Sequence, residues 1–138
     1  MAGLGIGFYL GACDGSTEPG GSGIELSVVA TPKVARFQID SVTIAVTIRN
    51  LRDLPFTVDT SRTEVRNVDT GEVAITSGTY NPLGATLVGA WDSVHFEGYE
   101  TFGPYAFFDP GRHYCELMFH TVDGARPLAR DTFQVISE

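Results

Sequence analysis

Three histidines, two cysteines and a cluster of acids are the side chains of this 138-residue chain with chemistry to offer. His113 and His120 sit seven residues apart on one expected strand. Side chains alternate between faces along a strand, so the two point to opposite sides. A metal centre needs ligands that converge, and neither these two nor the distant His95 provides that spacing. Cys13 and Cys115 are too far apart in sequence to form a metal motif or a disulfide framework. Ser41, Ser61, Ser77 and Ser93 lack the Gly-x-Ser-x-Gly setting of an activated serine. Asp92, Glu97 and Glu100 lie among aromatic residues, and a pair of acids in a cleft could cleave glycosidic bonds. No loop has the dense alternating acids of a calcium loop. These patterns describe a non-enzymatic chain that needs no cofactor, with structural histidines and Cys115 as a small buried hydrophobe.

Aromatic residues are the other unusual feature. Trp91, Phe96, Tyr99, Phe102, Tyr105, Phe107 and Phe108 place seven of the fifteen aromatics within eighteen residues. Phe96 and Phe107 suit a core. Tyr99, Phe102 and Tyr105, beside Gly98 and Gly103-Pro104, are the candidate binding surface, because aromatic rings bring large contact area at low entropic cost.

The elements that would position these groups read as strands. Ile24, Leu26, Val28 and Ala30 alternate with more polar neighbours, and Val42, Ile44, Val46 and Ile48 do so more clearly. Short strands are expected around Phe37 and Ile39, from Phe56, and around Val73 and Ile75. Others are expected from Trp91 to Phe96, from His113 to His120 and from Asp131 to Ile136. On the His113 strand, alternation puts Cys115, Leu117 and Phe119 in the core and Tyr114 outside, since a one-residue slip would bury Glu116. Asp69-Thr70-Gly71, Asp109-Pro110-Gly111 and Val122-Asp123-Gly124 mark turns. No amphipathic helix interrupts them. The fold class is all-β: an immunoglobulin-like antiparallel β-sandwich of about seven to nine strands over residues 24–138.

The net charge of −8, from 17 acidic and 9 basic residues, argues against a nucleic-acid partner. It also argues against electrostatic docking on anionic lipid. Residues 14–23 are rich in Gly, Ser and Thr and read as a flexible linker. No apolar run reaches the roughly 20 residues needed to cross a bilayer as a helix.

Leu10-Gly11-Ala12-Cys13, behind the short apolar stretch from Leu4, resembles the lipobox of prokaryotic lipoproteins. The resemblance implies that residues 1–23 are a signal and linker, with cleavage before Cys13 and a diacylglycerol on its sulfur. It also implies an extracytoplasmic, lipid-anchored protein that meets the membrane only through Cys13. Pairing of Cys13 with Cys115 is the alternative. Residues 42–59, alternating aliphatics followed by Asn50, Asp53 and Pro55, resemble extracytoplasmic immunoglobulin-like domains. So do residues 108–114, Phe-Asp-Pro-Gly-Arg-His-Tyr. The bacterial intracellular proteinase inhibitor fold is one of that class. No loop carries a recognisable inhibitory motif. The expectation is a surface-anchored binding or accessory module whose partner is a protein or glycan at the cell surface. A proteinase-inhibitor-like domain and a structural subunit assembling through edge strands are the alternatives.

Overall fold

The computed structural model describes residues 16–19, 23–76 and 83–137. Cys13, with its expected lipid, lies outside them. The described residues form an immunoglobulin-like β-sandwich. Ten strands run in order: β1 (Ser16–Pro19), β2 (Ile24–Thr31), β3 (Val34–Arg36), β4 (Val42–Asn50), β5 (Phe56–Asn67), β6 (Val73–Thr76), β7 (Leu87–Val88), β8 (Ser93–Phe102), β9 (Gly111–Thr121) and β10 (Leu128–Ile136). One sheet has the order β1-β2-β4-β8. The other has the order β3-β10-β9-β5-β6, with β7 beside the start of β5. All pairings are antiparallel except β3 with β10.

Alternation builds the core. Ile24, Leu26, Val28 and Ala30 of β2 and Val42, Ile44, Val46 and Ile48 of β4 face inward, and all are fully buried. Cys115, Leu117 and Phe119 of β9 meet them from the other sheet, with Ala129, Phe133 and Val135 of β10. Burying each larger aliphatic or Phe side chain contributes about 1.5–3 kcal/mol, which fixes the inward face of each strand.

The two sheets are also joined by a polar contact at Asp131. Where the chain leaves β2 for β3, the Asp131 carboxylate of β10 accepts from Ala30 N–H at 2.8 Å. It also accepts from Thr132 N–H at 2.9 Å and pairs with the Lys33 ammonium. Lys33 Nζ donates to Ala30 O at 2.8 Å as well. A nearly buried carboxylate is tolerated because its oxygens are met by donors.

Three sequence expectations are corrected. The strand expected at Phe37 and Ile39 lies earlier, at Val34–Arg36. Residues 37–40 form a turn, in which Asp40 accepts from Arg36 N–H and Gln38 takes a φ of 63°. The strand expected to stop before Gly98 continues to Phe102. A bulge sets residues 97–99 against Ala45 alone, because Val46 pairs with Phe96 and Ile44 with Glu100. Within the expected linker, Ser16–Pro19 is a strand that pairs with residues 25–28 of β2. Polar residues suit a short edge strand of this kind, whose backbone supplies the ladder.

Candidate functional site

The strand directions bring three loops to one end of the sandwich: residues 51–55 after β4, 89–92 before β8 and 122–127 after β9. We call this end the crown and the opposite end the base. Asn50, the buried last residue of β4, organises the crown. Its Nδ2 donates to Leu54 O at 2.8 Å and to Gly89 O at 3.1 Å, and its Oδ1 accepts from Arg52 N–H at 3.0 Å. One side chain thus closes the first loop on itself and ties it to the second.

Arg52 adds the third loop. Its Nη1 donates to Asp123 Oδ2 at 3.1 Å, and its guanidinium lies 5.5 Å over the Phe56 ring. Thr121 Oγ1 donates to Asp123 Oδ1. That hydroxyl and then Arg52 hold the Asp123 carboxyl below the usual range. Gly23 packs under the same arginine with a φ of 74°; a Cβ there would stand 2.8 Å from Arg52 Cγ. Only glycine suits both the conformation and the space.

The crown carries several exposed apolar side chains: Leu51, Leu54, Leu87, Trp91 and Val122. Trp91, the only tryptophan, is 69% exposed and has a φ of 59°. The left-handed region is costly for a bulky residue. Here it is over-determined: Trp91 N–H donates to Arg52 O at 3.1 Å, Asp92 N–H to Gly89 O at 3.1 Å, and Asn50 N–H to Asp92 O at 2.8 Å. Backbone outliers held in this way cluster at binding and catalytic sites, although Gln38 and Ala85 adopt the same region. At the same end runs a groove of about 240 Å³ lined by Pro55, Phe56, Thr57, Leu87, Val122 and Asp123.

The structure separates the three residues expected to form a binding surface. Phe102 is 3% exposed and belongs to the core, opposite Val42. It stays on the inward face of β8, the same face as Phe96, because the strand does not stop at Gly98. Tyr99 is half-buried and stacks edge-on against Phe96. Tyr105 is 76% exposed, on a short 3-10 turn at the base. Trp91, expected to open a strand, instead tips a crown loop. Leu54, Leu87 and Val122 escaped notice because a single exposed aliphatic in a loop means little. Their placement at one end depends on three strands ending together.

The groups with catalytic potential are dispersed. His95, on the outer face of β8, meets Thr47 Oγ1 at 2.7 Å and Glu97 at 2.9 Å. His113 is in the core; its Nδ1–H donates to Gly111 O at 2.9 Å, and its ring stacks on Phe133. Burial pulls its pKa down. His120 lies on the other face of β9. Cys115 is fully buried, and burial pushes its thiol up to about 12, the opposite of an activated nucleophile. Asp92 is at the crown and Glu97 is on the outer face. Glu100 turns inward beside Thr63, where burial raises its pKa. Among the described residues, no three His, Cys, Asp or Glu side chains are grouped to hold a metal ion. Also among them, no helix is long and apolar enough to cross a membrane.

No family model and no curated protein sequence matches the chain. Solved structures do. The chain superposes on the alkylpurine DNA glycosylase AlkC of Pseudomonas fluorescens, bound to DNA containing an abasic site analogue, with a TM-score of 0.61 and 17% identity. That match covers 85% of this chain but 31% of the glycosylase. The Bacillus subtilis sporulation control protein Spo0M matches with a TM-score of 0.56 and 10% identity, over 84% of this chain and 49% of that one. A CARDB domain from Pyrococcus furiosus, in complex with di-metal ions, gives 0.52 and 11%, over 82% and 87%. The chain thus spans less than half the length of the first two. At these identities the likeness is one of fold: a β-sandwich domain that forms part of larger proteins.

Proposed function

We propose that this domain is a non-enzymatic binding module, held outside the cytoplasm by a lipid on Cys13, that takes a partner protein on its crown. The observation that carries the reading is Trp91, an exposed aromatic whose backbone is held in the left-handed region by three hydrogen bonds, at an end of the sandwich that also exposes Leu54, Leu87 and Val122. Binding energy concentrates in rigid aromatic anchors ringed by apolar contacts. The exposed aliphatics at this end, Leu54, Leu87 and Val122, favour apolar side chains of a protein over a glycan, whose hydroxyls need many polar partners. Among the described residues, the scattered histidines and acids and the suppressed Cys115 thiol leave no constellation for catalysis.

Photo-cross-linking in the producing cells tests this. A photoreactive residue placed at Leu54 should give a discrete adduct that disappears when Trp91→Ala is added. The same probe at Thr47, on the outer face of β4, should give none. Equal adducts at both positions, or none at either, would reject the crown as the binding face.

A further inference from the structure

We propose that the base of the sandwich seats on the neutral headgroup region of the membrane that holds Cys13, with Tyr105 and Phe108 as the inserted side chains. This rests on the lipid-anchor reading above. The path of the chain carries the argument. β1 runs antiparallel to β2 with Ser16 opposite Val28 and Pro19 opposite Glu25, so it enters from the base and climbs towards the crown. Cys13 precedes Ser16 by three residues, which span at most about 10 Å. Val28 is itself three residues from Thr31, where β2 ends at the base. Three residues cannot double back to the crown: the four steps from Val28 to Ile24 already cover about 13 Å. A lipid on Cys13 therefore brings the base to the bilayer.

The base is built to meet it. Phe107 is buried as a peg, edge-on to both His113 and Phe133. Its neighbours Tyr105 and Phe108 are exposed, and Ile39 is exposed in a turn at the same end. The loop is thus rooted in the core while its flanking rings face outward. Tyr105, an aromatic ring with a polar tip, suits the membrane–water boundary, and the Phe108 ring adds apolar area to bury. The local charges select the lipid. Arg36 is paired with Asp40 and Arg112 with Asp69, which leaves Asp109 and no surplus cation in the 103–110 loop. That balance suits zwitterionic headgroups and disfavours anionic ones.

The test uses the full chain made in a lipidating bacterial host and reconstituted into phosphatidylcholine vesicles, some with brominated acyl chains. Intact mass first reports whether Cys13 carries the diacylglycerol. In a Tyr105→Trp, Trp91→Phe variant, fluorescence should shift to the blue and be quenched by the brominated lipid. The native protein, whose emission comes from Trp91, should show neither effect. Phe108→Trp in the same background serves as a second probe should the first variant fold poorly. A lipidated protein with unquenched base probes would overturn the docking and leave the anchor standing. Quenching of Trp91 would reverse the orientation. Quenching of the base probes only with phosphatidylglycerol present would overturn the choice of neutral lipid. A protein without the mass increment would overturn the anchor reading and the docking with it.

Discussion

The main-chain carbonyl of Arg52 accepts from the N–H of Trp91 at 3.1 Å, and this bond helps hold the tryptophan at a φ of 59°. A non-glycine residue in that region costs about 1–2 kcal/mol, partly offset by the backbone entropy a glycine would lose on folding. Trp91→Gly should therefore leave the domain as stable as before, or more stable by up to ~1 kcal/mol. The same change should abolish the crown adduct. Urea denaturation alongside the cross-linking assay checks both; a stability loss beyond ~1 kcal/mol would mean that the exposed ring supports the fold.

Asn50→Ala should be costly for the opposite reason. It deprives Leu54 O, Gly89 O and Arg52 N–H of their side-chain partner in a part-buried setting. Unmet buried groups cost about 1–3 kcal/mol each, so a total loss of ~2–4 kcal/mol is expected. Faster amide hydrogen exchange should be confined to residues 51–55 and 89–92.

Asp131→Ala removes the acceptor for Ala30 N–H and Thr132 N–H and takes away the carboxylate partner of the Lys33 ammonium, which keeps Ala30 O. A loss of about 3 kcal/mol is expected. Lys33→Met should cost less, because the carboxylate keeps both amide donors. Thermal unfolding of the two variants and the double variant measures their coupling.

Acid should weaken the fold through His113. Burial lowers its pKa below the usual 6.5, while the hydrogen bond to Gly111 O and then Asp69 nearby oppose this. The unfolded chain therefore takes up a proton before the folded one does. The His113 contribution is complete above the unfolded value and is lost as pH falls below about 6.5. Glu100 has the opposite sign. Burial raises its pKa, and Oε1 is buried without a hydrogen-bond partner. Its ionisation therefore costs stability as pH rises through the folded value. Glu100→Gln should raise the Tm at pH 7 and lose that advantage in acid. His113→Phe should flatten the decline below pH 6.5. Tm measured against pH for both variants checks the two signs.

In native protein carrying Cys13→Ser, Cys115 should resist alkylation and react fully on unfolding. Burial and a thiol pushed up to about 12 both suppress the thiolate. Mass spectrometry after iodoacetamide, with and without guanidinium, reads the difference.

The core was open to reading from sequence because its signal is local. The alternation along β4 and on the Cys115 face of β9 gives the inward residues directly. Phe102 could have been placed by the same rule. It is six residues from Phe96, an even separation, and reading Gly98 as a break hid that parity. The left-handed backbone at Trp91 left no mark, because the bonds that impose it come from Arg52, Gly89 and Asn50. Neither did the crown, which exists only through the pairings that end three strands together. β1 was hidden because a polar edge strand is specified by its neighbour's backbone more than by its own side chains.

That edge strand has a mechanical consequence. If the protein is held at Cys13 and pulled by a partner on the crown, the force enters β1 from below while β2 is drawn upward. The four residue pairs between them are then loaded in shear and must yield together. Pulled the other way, from the Pro19 end, they would peel apart one at a time. In a protein anchored at Cys13 the short strand would thus act as a strain relief between anchor and domain.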